Sequence, residues 1–256
     1  MADSQEITEA VCIHTRKIYD SCRDQDCMED LRVYTTASSQ PYIESAFSVR
    51  PSAATLLYAD VSVDEISFNR GYYTVDVTYF YEVSGVTFPG ENTIRGLCVF
   101  NKRVMLFGSE GSAKVFTSDG ILPDRISQPV AVAECVDPIV LNMKLVDACP
   151  AGLSTDMRDI PPNILSHFGE DLVLLDGVRL LTATLGQFSI IRLERDSQLV
   201  VPVYDYCLPE KDCTPGAQDD PCTMFQRISF PIDEFFPPDS IETTEDYRTA
   251  KQNMES

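Results

Sequence analysis

The sequence predicts a mainly β protein, antiparallel, built as a β-sandwich or as two packed β-sheet lobes with few short helices. Three observations predict it. From Tyr72 to Val83 the chain reads YYTVDVTYFYEV, a strict alternation that sends Tyr73, Val75, Val77, Tyr79, Tyr81 and Val83 to one face. Only a pleated strand sorts residues that way, and β-branched and aromatic side chains suit its surface. Shorter alternating runs recur on either side, at Val61 and Val63 and again at Val132, Glu134 and Val136. Breaks between runs fall at Gly, Pro, Asn and Asp, the residues of turns.

In chain order, Glu6 to Tyr19 has no clean period, so helix and strand compete there. Cys22 and Cys27 flank a short acidic stretch read as a loop, which enters a strand at Leu31 to Thr35; Ser38 to Pro41 is loop. Leu56 to Phe68 is a strand closed by Asn69-Arg70-Gly71, whose glycine tolerates positive φ. The Tyr72 strand follows, central in its sheet because both faces carry aromatics. Thr93 to Phe100 and Arg103 to Phe107 are two further strands joined at Asn101-Lys102. A turn at Gly108 to Ser112 leads to a strand at Ala113 to Thr117 and a polar connector at Ser118 to Gln128.

Val130 to Val146 is strand, broken by Asp137-Pro138. Cys149 to Phe168 is a long loop with one helical turn near Pro162 to His167. Leu172 to Leu185 and Phe188 to Glu194 are strands, the second turning at Arg195 to Gln198 into Leu199 to Tyr206. Met224 to Phe230 is again strand, and the proline-bracketed Phe230 to Pro238 forms an extended arm. These elements divide the chain into an N-terminal β region at 1–128 with its meander at 53–117, a second β region at 129–238 containing a cysteine loop at 207–222, and an acidic flexible tail at 239–256.

Charge narrows the partners. With 20 Lys and Arg against 40 Asp and Glu, the net charge of −20 disfavours nucleic acid and anionic membrane surfaces. No run approaches the roughly 18 apolar residues of a bilayer span. The N-terminal MADSQEITEAVC is acidic and lacks a basic and an apolar region, so cytoplasmic synthesis without a signal peptide is expected.

Catalytic signatures are absent. Two isolated histidines, His14 and His167, leave little for histidine chemistry. No Cys-x2-Cys pair marks a zinc site, and Gly108-Ser109-Glu110-Gly111 has the wrong spacing for a phosphate loop. Asp24 with Asp26, and Asp219 with Asp220, are acidic pairs without the calcium-loop pattern. The expectation is a non-enzyme that needs no cofactor and no metal. The nine cysteines carry more information: Cys98 and Cys135 fall within strands and read as buried thiols, whereas Cys22, Cys27, Cys207, Cys213 and Cys222 fall in loops and are the candidate cross-links.

Several phrases then stand together: KIYDSC from Lys17, CMEDLRVY from Cys27, FNRGYYTVD from Phe68, LFGSEG from Leu106 and FPIDEFFPP from Phe230. Over residues 11–238 they resemble a family of uncharacterised proteins common in clostridia and other endospore-forming anaerobes, with a link to the cysteine-rich protein of the crystalline exosporium layer of clostridial spores. This chain has fewer cysteines than that layer protein. The resemblance implies a self-assembling structural protein made in the mother cell, whose thiols oxidise when that cell lyses, placed on the spore surface with copies of itself and other spore-surface proteins. The docking arm would be Phe235 and Phe236. The alternative reading is a carbohydrate- or calcium-binding β module that uses the tyrosine-rich strand as a stacking surface.

Overall fold

The computed structural model describes residues 13–110, 128–147, 160–174, 179–199, 225 and 228–231. Among them lie β1 (Ile13–Thr35), α1 (Gln40–Ser45), β2 (Ser48–Glu65), β3 (Tyr72–Phe88), β4 (Thr93–Phe107), β5 (Val130–Cys135), β6 (Ile139–Asp147), α2 (Pro162–Phe168) and β7 (Arg179–Leu199). Every described ladder is antiparallel. The mainly β fold is therefore as the sequence predicts.

Strand order is β2-β3-β4-β1-β7-β5, and β6 pairs with β7 beside β5. β5 and β6 follow one another along the same edge of β7, interrupted where the sequence places Asp137-Pro138. β2 lies close to β6 and β5, and the Leu56 amide donates to Asp137 Oδ1 at 2.9 Å. The two ends of the sheet thus face each other, and the fold is a nearly closed sandwich.

β3 occupies the centre of the meander as expected, between β2 and β4. All six residues of its inward set are buried, from Tyr73 to Val83. They meet Cys22, Met28 and Val33 of β1, and Leu181, Leu185, Ile191 and Leu193 of β7. The reverse face is half-covered: Phe80 and Leu97 pack under α2 through Ile164 and Phe168. Gly71 closes the β2–β3 turn at φ 78°, the positive value its position required.

Several expectations are corrected. Asn101-Lys102 is no turn; both residues stay in the ladder, opposite Thr78 and Val77. Arg195 to Gln198 is no turn either, because each residue pairs with β1, from Lys17 to His14. The stretch between Cys22 and Cys27 is strand, paired residue for residue with Ile191 to Gly186. Leu172 makes only an isolated bridge to Thr36, and among the described residues β7 covers Arg179–Leu199. Of the strand expected at Met224 to Phe230, the described residues Phe225 and Ile228 are not in a strand, and the Ile228 amide donates to the Phe225 carbonyl at 3.0 Å. Ser38 to Pro41, expected as loop, runs into α1, whose first two residues are Gln40 and Pro41 and which buries Ile43. A common reason covers most of these: polar and charged residues read as turns were compensated by partners distant in sequence. The expected strands at 113–117 and 200–206 fall outside the described residues.

β1 changes neighbours along its length. Ile13 to Val33 pair with β7, whereas Tyr34 and Thr35 pair with Leu97 and Gly96 of β4. The bend coincides with a bulge between Met28 and Leu31, and with Asp30 at φ 49°. At the other end of β7, the buried Arg195 guanidinium donates to the Gly108 and Ser109 carbonyls and to the Tyr73 hydroxyl, at 2.5, 2.8 and 2.9 Å. Arg195→Met is expected to lower unfolding free energy by about 2 kcal/mol, since each of those acceptors loses a charged donor; urea denaturation reads it.

Candidate assembly surface and buried ionic cluster

β strands place three kinds of group where chemistry or contact is available: exposed aromatics at the strand ends, cysteines, and a largely shielded cluster of charges. The aromatics come first. Phe47 and Phe88 are 77% and 64% exposed and adjacent in structure, the Phe47 amide donating to the Phe88 carbonyl at 2.8 Å. At the opposite end of the β2–β3 hairpin, Phe68 is 92% exposed, with Met105 and Phe107 also exposed near it in the β3–β4 ladder. At about 3.3 Å per residue the 17-residue β3 separates these ends by roughly 50 Å. Two groups of exposed apolar side chains thus lie at opposite ends of the hairpin.

The two edges of the sheet, β2 and β5–β6, lie close to each other without a ladder between them among the described residues. The tyrosine-rich strand offers no stacking platform on its inward side, because Tyr73, Tyr79 and Tyr81 are no more than 5% exposed. That corrects the basis given for carbohydrate binding; the alternation showed two faces without showing which one the second sheet covers.

The five candidate cysteines divide. Cys22 is a thiol outside any disulfide, at 2% exposure inside the core. Cys27 is disulfide-bonded, and its partner is none of Cys22, Cys98 and Cys135. Both lie in β1 and not in a loop. Cys207, Cys213 and Cys222, like Phe235 and Phe236, lie outside the described residues. Cys98 and Cys135 are in strands as expected. Burial raises both thiols, Cys135 to about 11 despite its contact with the Tyr79 hydroxyl at 3.7 Å. A protonated, buried thiol is a poor nucleophile. Alkylation of the native protein is therefore expected to leave Cys22 and Cys98 unlabelled until denaturant is added, as peptide mass spectrometry would show.

The charges are the feature that sequence reasoning missed. Asp24 and Asp26 stand two apart on β1 and so share a face. Lys102 of β4 reaches both, in contact with Asp24 Oδ2 and 2.6 Å from Asp26 Oδ2. The Lys102 side chain is 7% exposed and the two carboxylates 13% and 15%. Burial, reinforced by Asp24, pushes Asp26 up to about 6 although Lys102 pulls the other way. For Lys102 burial favours the neutral amine, but the two carboxylates outweigh it and hold its pKa above the usual value. The pair read as a possible calcium site is thus engaged by an ammonium group. Among the described residues no group of three or more His, Cys, Asp or Glu is placed to hold a metal ion. The period-2 placement of the two aspartates was legible in sequence; their partner, 76 residues beyond Asp26, was not.

His167, one of the two isolated histidines, fastens α2 to the sheet. Its Nε2 lies 2.7 Å from Glu82 Oε2, and the Arg95 Nε donates to the other oxygen at 2.6 Å. Burial opposes ionisation of Glu82, yet these two donors win and lower its pKa. Beside α2, Leu165, Gly169, Leu172 and Leu174 line an open depression whose Glu170 is occupied by the Ser38 amide and hydroxyl.

The chain is similar to Exosporium protein A of Clostridium sporogenes (strain ATCC 15579), at 25% identity over 269 aligned positions that cover 99% of this chain and 81% of the relative. No family model matches the chain, and no solved structure matches it.

Proposed function

We propose that this chain is a structural subunit of a spore-surface layer, assembling with copies of itself. The observation that carries the reading is the similarity to an exosporium protein along 99% of the chain. Alignment at that length concerns the whole fold and not a shared module. The distribution of exposed apolar groups agrees with it. Phe47 and Phe88 at one end of the sandwich and Phe68 with Met105 at the other form unlike patches. A contact between unlike patches is heterologous, and repetition of such a contact yields an open filament or sheet. No catalytic role is assigned to it, and disulfides between copies would fall to cysteines other than Cys22 and Cys27.

Three experiments test this. Purified chain, concentrated under oxidising conditions, is expected to form ordered assemblies by electron microscopy. The double variant Phe47→Ser, Phe88→Ser should keep the wild-type circular dichroism and sediment as a monomer. Antibody labelling of intact spores of the source organism should mark their surface. Wild-type chain that stays monomeric at millimolar concentration, together with unlabelled spores, would overturn the proposal.

A further inference from the structure

The geometry points to a covalent isopeptide bond between Lys102 and Asp24, formed autocatalytically with Asp26 as the proton shuttle. Three facts converge on it. An amine nucleophile and a carboxyl are already in contact across the core, from β4 to β1. A second carboxyl, Asp26, sits 2.6 Å from the same Nζ and is positioned to exchange protons with both partners. All three lie away from water, beside Tyr79 and the Cys135 thiol, where ions are penalised and water lost in a condensation is not returned.

An ion pair alone is a weak reason to bury three charges. Taking charge out of water costs about as much as the pair returns, and apolar residues of like volume commonly do as well. The second carboxylate makes the cost worse, because one ammonium cannot neutralise two. Condensation takes the ammonium and one carboxylate out of the cluster as a neutral amide, and leaves Asp26, raised by burial, to carry a proton.

The step balances without any co-reactant. Lys102 passes one ammonium proton to the Asp24 carboxylate, leaving a neutral amine and a neutral acid. The Nζ lone pair attacks Cγ of Asp24 and the N–C bond forms, while Nζ gives a proton to Asp26 as Asp26 gives its own to the carbonyl oxygen. One C–O bond then breaks, and the hydroxyl leaves as water with a proton from Asp26. The remaining hydroxyl returns a proton to Asp26 and becomes the amide carbonyl. Burial, which holds Asp26 partly protonated near neutral pH, suits it to this role. The reaction occurs once per chain, so the neutral pair need be populated only rarely.

Placement gives the bond a purpose. The backbone ladder between β1 and β4 covers Tyr34 and Thr35, while before that β1 pairs with β7 and touches β4 through side chains, as where the Phe107 amide donates to Asp20 Oδ2 at 3.0 Å. A link from Asp24 to Lys102 ties the two sheets together away from this join, and reductants do not cleave it. This inference stands on the cluster alone and holds whether or not the chain assembles.

Intact mass spectrometry of the full chain, purified from cells and fully reduced, is the test. Wild type is expected to be one water lighter than its sequence mass, with fragmentation of the joined peptides placing the link at Lys102 and Asp24. Lys102→Arg keeps the charge but cannot form this bond, and should show the full mass. Asp26→Asn, which keeps the shape and loses the proton carrier, should show most chains unlinked. Folded wild type at its full sequence mass would overturn the proposal without requiring any variant to fold. A link located at Asp26, or one formed equally well in Asp26→Asn, would overturn the assigned roles.

Discussion

Lys102→Met is expected to destabilise the protein by about 3–5 kcal/mol at pH 7, the usual cost of stranding buried charge by removing its partner. Asp24 and Asp26 would then face each other with no cation at side-chain exposures of 13% and 15%. The loss should depend on pH, and the sign is fixed. Asp26 is already raised by burial from 3.8 to about 6, and without Lys102 it must rise further. A carboxyl raised on folding favours the folded state in its protonated form, so that contribution is full below pH 3.8 and disappears as pH passes the folded pKa. The variant should therefore approach wild type near pH 4 and fall away steadily from pH 6 upward. Guanidinium unfolding curves at five pH values would show it. If Lys102 is joined to Asp24, the variant also loses a cross-link closing about 80 residues, and a deficit that does not vary with pH remains at pH 4. A variant as stable as wild type at pH 7 would mean that the cluster contributes nothing.

Gly96→Val is expected to be the next most damaging change, at about 3 kcal/mol from overpacking. Gly96 sits where β1 crosses to β4, opposite Thr35. A Cβ there would meet Val33 Cγ1 at 2.6 Å and the Tyr34 carbonyl oxygen at 2.8 Å. One of those atoms is backbone, so relief requires β1 to move off β4 and to break the ladder that makes the sheet continuous. Gly96→Ala should show the same effect in smaller measure. Thermal melts would give the order, and amide exchange should show protection lost first at Tyr34 and Leu97. Unchanged exchange at both positions would count against Gly96 as the tight point of the join.

How much was legible follows from what is local. The β3 pattern needed only its own residues, so its burial, its central position and the Gly71 turn could be read directly. The break at Asp137-Pro138 and the short helix after Pro161 are also local matters of proline geometry. Failure came wherever a polar residue had a distant partner. Asn101 bonds Thr78, Lys102 bonds Asp24 and Asp26, and Arg195 bonds Gly108 and Tyr73, so three supposed turns or loops are straight strand. The cross-link candidates suffered likewise: Cys22 looked like a loop residue because the aspartates beside it looked solvated.

The sequence by itself determined that this is an antiparallel β protein, because side-chain alternation is a property of one strand. Only the tertiary structure decided which side of each strand faces the core, where β1 changes partners, and that Lys102 meets two aspartates inside. Those are consequences of register between strands up to about 180 residues apart, as when Ile13 meets Leu199, and a one-residue slip in that register would turn the same side chains to the opposite face.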